Sequence, residues 1–459
     1  PGRGWRRMRQ DADAGTGKGG PAGVTGAGGG DMLRGMASLT KGTENRPASP
    51  SAVPLEPGEA IPRPHPPLWL LALVTFSGTL AMHIFVPALP SAARSLGVGA
   101  GAMQGAITFY LIGLACGQLF YGPLADRFGR RPVLISGLML YTFAGFVALF
   151  APGIGSLSVA RFFQALGGCA GLALGRAMVR DSAEPQAAAS RLALLNLMVS
   201  AGPGLAPALG GALVALFDWR AIFGLLAAVG LGLLLLCWRR LPETGQMRTG
   251  IRAGHVMRDY LRLLRSPAFL GFTLGGACTT TSMYGFISAS PFIFVNELHR
   301  PVQEVGLYLA VMVLGLSAGS LVASRLVRRS GIDRVMIGAS LAGLLGACLF
   351  LGVVLSGHMS VALIMPPLVL FTFGSGMASP MALTRAISVN PAVIGSAAGL
   401  YGCAQMGWGA LCSALVAIGG DPAVGAGLVL VGGCAIGQMG FWIAGRSRRA
   451  TASRDADAR

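Results

Sequence analysis

Runs of about twenty apolar residues recur along this chain, and no other feature restricts its fold as strongly. A helix of that length crosses the hydrocarbon of a bilayer. Lipid offers backbone N–H and C=O groups no partner, so such a run must satisfy them within a helix. Twelve runs are predicted as spans, at about 68–90, 102–121, 133–151, 157–178, 191–216, 221–238, 268–292, 304–325, 334–355, 360–383, 393–418 and 424–445. Charged residues make up 12% of the 459 residues, about half the share of a soluble domain. The expected class is an all-α membrane protein with twelve transmembrane helices.

The basic residues give the spans a direction. Three arginines (Arg94, Arg220 and Arg300) fall in alternate connections and Arg161 falls within a span; the other 32 of the 36 Lys and Arg lie on the opposite side. Basic residues stay on the cytoplasmic side, so both termini are expected there. The net charge of +18 is spread over these connections. The expected partner is therefore the lipid bilayer, with no nucleic acid.

The largest internal hydrophilic stretch, 239–267, divides the spans six and six. The expected order is a tail over 1–67, a six-helix half over 68–238, the 239–267 connection, a second half over 268–445 and a basic tail over 446–459. The first tail is rich in Gly, Pro and charge and reads as disordered. Met32 and Met36 are candidate start positions, and no cleavable signal peptide is evident. Residues His255 to Arg265 form a candidate amphipathic helix on the inner leaflet.

No acid is expected at mid-span. The ionisable groups at membrane depth are His83 in span 1 and Arg161 in span 4, and such costly groups are functional candidates by default. Thr75, Thr79 and His83 share a helix face, as do Arg161 and Gln164. His83 reads either as a proton carrier or as a neutral histidine bonded to a neighbouring helix. Arg161 reads either as part of the transport chemistry or as a clamp on carbonyls or headgroups. Gly167, Gly171 and Gly175 allow close helix packing. Pro203 and Pro207, with Gly210 and Gly211, predict either a packing kink or a gate in span 5. Candidate cavity-lining residues are Thr79, Phe85, Gln164, Asn196, Tyr284, Ser288, Gln405 and Trp408. The eight cysteines form no CxxC pair, so neither a disulfide framework nor a metal site is indicated. No GxxxxGK[ST], HExxH or GxSxG motif is present. No catalytic residue, enzyme activity or cofactor is expected, and an ion gradient is the expected energy source.

One charged segment stands between spans 2 and 3: Gly122-Pro123-Leu124-Ala125-Asp126-Arg127-Phe128-Gly129-Arg130-Arg131-Pro132. It reads as a hinge loop, with Gly122, Asp126, Arg127, Gly129 and Arg130 as gating candidates. Ser320 to Arg329 follows the second span of the second half as a faint copy that keeps the arginines and lacks the acid.

These residues resemble the loop between helices 2 and 3 of the major facilitator superfamily of secondary transporters. The resemblance covers 68–445. Within the superfamily the chain is similar to the drug:proton antiporters of twelve spans, specifically the Bcr/CflA multidrug exporters. It is carried by Val86-Pro87-Ala88-Leu89-Pro90, Arg161 to Gly167, Arg176 to Asp181, Ala206 to Gly211, Trp219 to Phe223 and Ser290-Pro291-Phe292. The resemblance implies multidrug or antibiotic efflux across the bacterial inner membrane, with small-molecule substrates and protons as partners. It implies a proton-coupling role for Arg161, and for Asp126 a helix cap that pairs with basic residues. Such relatives usually carry an aspartate where this chain has His83. His83 is accordingly expected to carry the coupled proton, with a lowered preference for cationic drugs. Open alternatives are an uncoupled facilitator or metabolite exporter, and a non-transporting membrane sensor. A single chain is expected to suffice, since each half completes the other.

Overall fold

The computed structural model describes residues 66–182, 185–245 and 253–457. The predicted tail 1–67 lies almost wholly outside the described residues, as does 246–252 of the central connection. The helices are α1 (Leu68–His83), α2 (Leu89–Leu96), α3 (Ala100–Phe128), α4 (Arg130–Leu149), α5 (Ile154–Ser182), α6 (Pro185–Leu216) and α7 (Arg220–Arg240). There follow α8 (Ala253–Leu264), α9 (Pro267–Thr281), α10 (Met283–Phe292), α11 (Val302–Ser330), α12 (Ile332–Leu355), α13 (Val361–Ile387), α14 (Ile394–Ile418) and α15 (Pro422–Asp457).

Among the described residues, ten helical segments are long and apolar enough to cross a membrane. The two other predicted spans are α6, of which Gly202–Leu216 is the apolar portion, and the pair α9–α10, which breaks at Ser282. The first span also runs past its predicted end. Pro87 has no N–H for the His83 carbonyl, so α1 stops there, and the chain continues through a 3₁₀ turn into α2.

The packing repeats. Helix α5 is packed by α1, α3 and α4, and α4 also packs on α7; α13 is packed by α9, α11 and α12, and α12 also packs on α15. The two sets meet along two seams, α3 on α14 and α6 on α11. The α1–α2 segment is 83% enclosed by protein and α5 72%, against 33–50% for the other eight of these ten segments, so these two form the interior of the first set. Large apolar side chains such as Phe143, Leu314 and Met439 stay exposed, as lipid-facing residues do.

The expected hinge loop is almost entirely helical. Helix α3 runs through Pro123 to Phe128, and Gly129 alone separates it from α4. Gly129 has φ +94° and ψ 157°, a region essentially reserved for glycine. Gly331 separates α11 from α12 in the same conformation, φ +79° and ψ 155°. One glycine thus turns the corresponding corner in each set, which is a sharper mark of the internal repeat than the arginines. Pro203 and Pro207 sit inside a continuous α6.

Candidate functional site

The carbonyls of α1 accept bonds from side chains on three surrounding helices. Tyr141 of α4 donates to Ser77 O at 3.4 Å, Tyr110 of α3 to Gly78 O at 3.0 Å, and Arg161 of α5 to Ala81 O at 2.9 Å. Three more bonds come from α1 itself: Ser77 Oγ to Val74 O at 2.8 Å, Thr79 Oγ1 to Phe76 O at 2.9 Å and His83 Nδ1 to Thr79 O at 2.9 Å. The result is a stapled helix end.

Arg161 is fully buried. Its Nη1 also donates to Gln164 Oε1 at 2.7 Å. Its guanidinium carbon stands 4.0 Å from the Tyr110 ring centroid, 5.6 Å from Phe85 and 5.9 Å from Phe223. Among the described residues no carboxylate pairs with it. The charge is held by two carbonyl-type oxygens and three aromatic faces, each a source of negative potential. A buried cation without an acid is costly unless well solvated by such dipoles, so the aromatic cage is part of the site. Arg161 Nε and Nη2 and Gln164 Nε2 remain as donors without a protein partner.

His83 is buried too, and its ring lies 6.3 Å from that of Tyr284 on α10. The carbonyl of Thr79 can only accept, so Nδ1 carries the hydrogen. In the neutral ring Nε2 is then the bare nitrogen, and it has no protein partner. His83 and Arg161 both bond to carbonyls of α1 and not to each other: one grips the Thr79 carbonyl and the other the Ala81 carbonyl.

The other cavity candidates divide. Gln405 Nε2 donates to Thr280 Oγ1 at 3.1 Å and Trp408 Nε1 to Ser282 Oγ at 2.9 Å, binding α14 to the broken span. Phe85 is fully buried against Trp219 and Phe223, in the core of the first set. Ser288 is buried and bonds back to Gly285 O at 2.9 Å. Thr79 Oγ1 is taken up within α1, and the Asn196 side chain lies outside the described residues. The structure therefore brings together His83 with Tyr284, and Arg161 with Gln164, Phe85 and Tyr110. The close passage of α6 over Ile84 O requires Gly210, and Gly211 faces Gln303 of α11.

At the basic end, Arg130 bridges Asp126 (2.8 Å) and Asp181 (3.1 Å). The cap expected of Asp126 on a neighbouring helix belongs instead to Glu243. Its two carboxylate oxygens accept from the N–H groups of Arg130 at 2.8 Å and Arg131 at 3.0 Å, the orphan donors at the start of α4. The same carboxylate takes the N–H of Gly245 at 2.8 Å. Arg127 stacks on Phe128, 5.1 Å from its centroid.

A family model described as Major Facilitator Superfamily matches residues 71–413. The chain belongs to that superfamily. It is 29% identical over 350 residues to multidrug resistance protein D of Escherichia coli, covering 75% of this chain and 87% of that one. It is 26% identical over 351 residues to a bicyclomycin resistance protein homolog of Haemophilus influenzae, covering 76% and 87%. A solved D-xylose–proton symporter superposes with a TM-score of 0.64 at 15% identity, covering 81% of this chain and 96% of that one, which establishes the fold alone. This is a multi-pass membrane transporter fold whose relatives at modest identity bear multidrug-resistance names.

Within this major facilitator chain, several site residues escape a sequence reading. Tyr110 and Tyr141 look like ordinary core aromatics until their hydroxyls are seen on α1. Glu243 is 113 positions from the backbone it caps.

Proposed function

We propose that this chain is a secondary active exporter of small amphipathic compounds, neutral or anionic by preference, driven by inward proton movement through alternating access. The setting is the bacterial inner membrane, with both termini cytoplasmic and one chain as the working unit. The names of the relatives support multidrug or antibiotic efflux as the physiological role.

The observation that carries proton coupling is His83. It is buried on an enclosed helix, with Nδ1 committed to a carbonyl and Nε2 uncommitted, beside Tyr284 of the other set. A histidine so held takes up a proton at one defined atom, and proton relays in pumps and transporters use such groups. The nearby fixed charge of Arg161 disfavours a cationic substrate in the same space.

The test is substrate-triggered proton movement in proteoliposomes under an imposed pH gradient. Wild type, His83→Ala and His83→Asp are compared against neutral, anionic and cationic antibiotics. The expected result is loss of proton flux in His83→Ala by about 100-fold, in the range of a missing acid–base group, with recovery in His83→Asp. Substrate movement without proton flux in all three forms identifies an uncoupled facilitator instead.

A further inference from the structure

Helix α8 has three distinct faces. Leu263 is buried, and α8 packs on α9 and α14. Beside this docked face, Met257, Leu261 and Leu264 are 58%, 47% and 43% exposed. Spaced by four and three, they form one stripe. Opposite the docked face, Arg258, Arg262 and Arg265 form a second exposed stripe at the same spacing. None of the three arginine side chains makes an ion pair or hydrogen bond among the described residues.

The docked face has an unusual anchor. Pro123 lies inside α3 and has no N–H for the carbonyl four residues earlier, that of Leu119. The Tyr260 hydroxyl of α8 donates to that carbonyl at 3.1 Å. Helix α8 thus touches α14 directly and α3 through a bond α3 cannot make for itself, and α3 and α14 form one of the two seams.

We propose that the outer faces of α8 are a binding site for anionic phospholipid, and that a bound headgroup steadies the α3–α14 seam through Tyr260. The apolar stripe fits the acyl boundary and the three unpaired arginines complement the headgroup phosphates; apolar area together with cationic charge is what places a helix at an anionic interface. A neutral lipid satisfies the stripe and leaves the arginines uncompensated. This surface lies apart from His83 and Arg161, so the proposal stands independently of proton coupling.

The experiment titrates phosphatidylglycerol into the full chain in phosphatidylcholine mixed micelles and follows its melting temperature. Wild type should be stabilised saturably. The Arg258→Gln/Arg262→Gln/Arg265→Gln variant should melt like wild type in neutral lipid but need at least ~10-fold more phosphatidylglycerol, each basic residue contributing about a fivefold factor at an anionic surface. Tyr260→Phe should still bind the lipid but show a smaller shift. The proposal is overturned if the triple variant responds as wild type does. It is also overturned if added phosphatidylcholine or inorganic phosphate reproduces the shift, or if Tyr260→Phe leaves it intact.

Discussion

Arg385 at the end of α13 grips Asp333 at the start of α12 with two bonds, at 2.8 and 2.7 Å. The first set has the same bridge with its charges exchanged: Arg130 stands at the start of α4 and Asp181 at the end of α5. Both bridges tie the third span of a set to the fourth at the basic end. The repeat has kept the contact and reversed its polarity.

That reversal predicts tolerance of a swap. Asp333→Asn and Arg385→Gln should each lower stability. The exchanged pair Asp333→Arg/Arg385→Asp should recover part of the loss. Because the Asp333 side chain is half exposed, a coupling of only about 0.5–1 kcal/mol is expected from a double-mutant cycle on melting.

The two corner glycines should respond unequally. At Gly331 a Cβ meets nothing within 4 Å, so Gly331→Ala carries backbone strain alone, about 1–3 kcal/mol. At Gly129 a Cβ would also stand 2.7 Å from Glu243 Oε2. Gly129→Ala should therefore cost more and should loosen the cap on α4. Melting of the two variants, alone and with Glu243→Gln, separates the contributions: Glu243→Gln should narrow the gap between them.

Arg161→Lys should fail as a conservative change. A lysine presents one compact ammonium where the guanidinium reaches Ala81 O and Gln164 Oε1 while lying over Tyr110. Transport should fall at least ~10-fold in both Arg161→Lys and Arg161→Met. Arg161→Met should melt no lower than Arg161→Lys, since an apolar chain leaves no charge to be solvated.

Glu297, after α10, titrates at about 7, raised by burial and by the neighbouring charge of Asp421, from an ordinary value of 4.5. Its folded form holds the proton more tightly than its unfolded form. Stability should thus be unaffected below pH 4.5 and fall as pH rises through about 7. Glu297→Gln should flatten the melting-temperature profile between those values, raising it at pH 8 and leaving it unchanged near pH 4.

Pro123→Ala restores a backbone donor to Leu119 O. In wild type, Tyr260→Phe should cost about 1 kcal/mol, the net worth of a hydrogen bond. In the Pro123→Ala background it should cost clearly less. Equal costs in both backgrounds would show that the hydroxyl is not serving the carbonyl the proline leaves open.

The spans and the two buried ionisable residues were legible because lipid imposes a length and a polarity on every segment it solvates. Arg161 and His83 stand out against apolar neighbours in the sequence alone. Their surroundings do not. The cage around Arg161 comes from Phe85 after α1, Tyr110 on α3 and Phe223 on α7, none distinguishable by spacing from packing aromatics. The Gly122–Pro132 segment reads as a loop because proline and glycine are helix punctuation in water, whereas here Pro123 is accommodated by a donor 137 positions away in sequence, Tyr260 (the bonded carbonyl, Leu119, is 141 away). Glu243 reads in the sequence as one acid of the 239–267 connection, with nothing to mark it as a cap.

A hydrogen-bond acceptor that its own helix cannot serve acts as an address. Along the 29 residues of α3, Leu119 is where the Tyr260 hydroxyl finds an unserved carbonyl, so the proline sets the register at which α8 docks. Past the Glu243 cap and Gly245, the connection ahead of α8 is thereby free to change in length and composition, provided Tyr260 still arrives. Selection on that connection should act on reach rather than on residue identity.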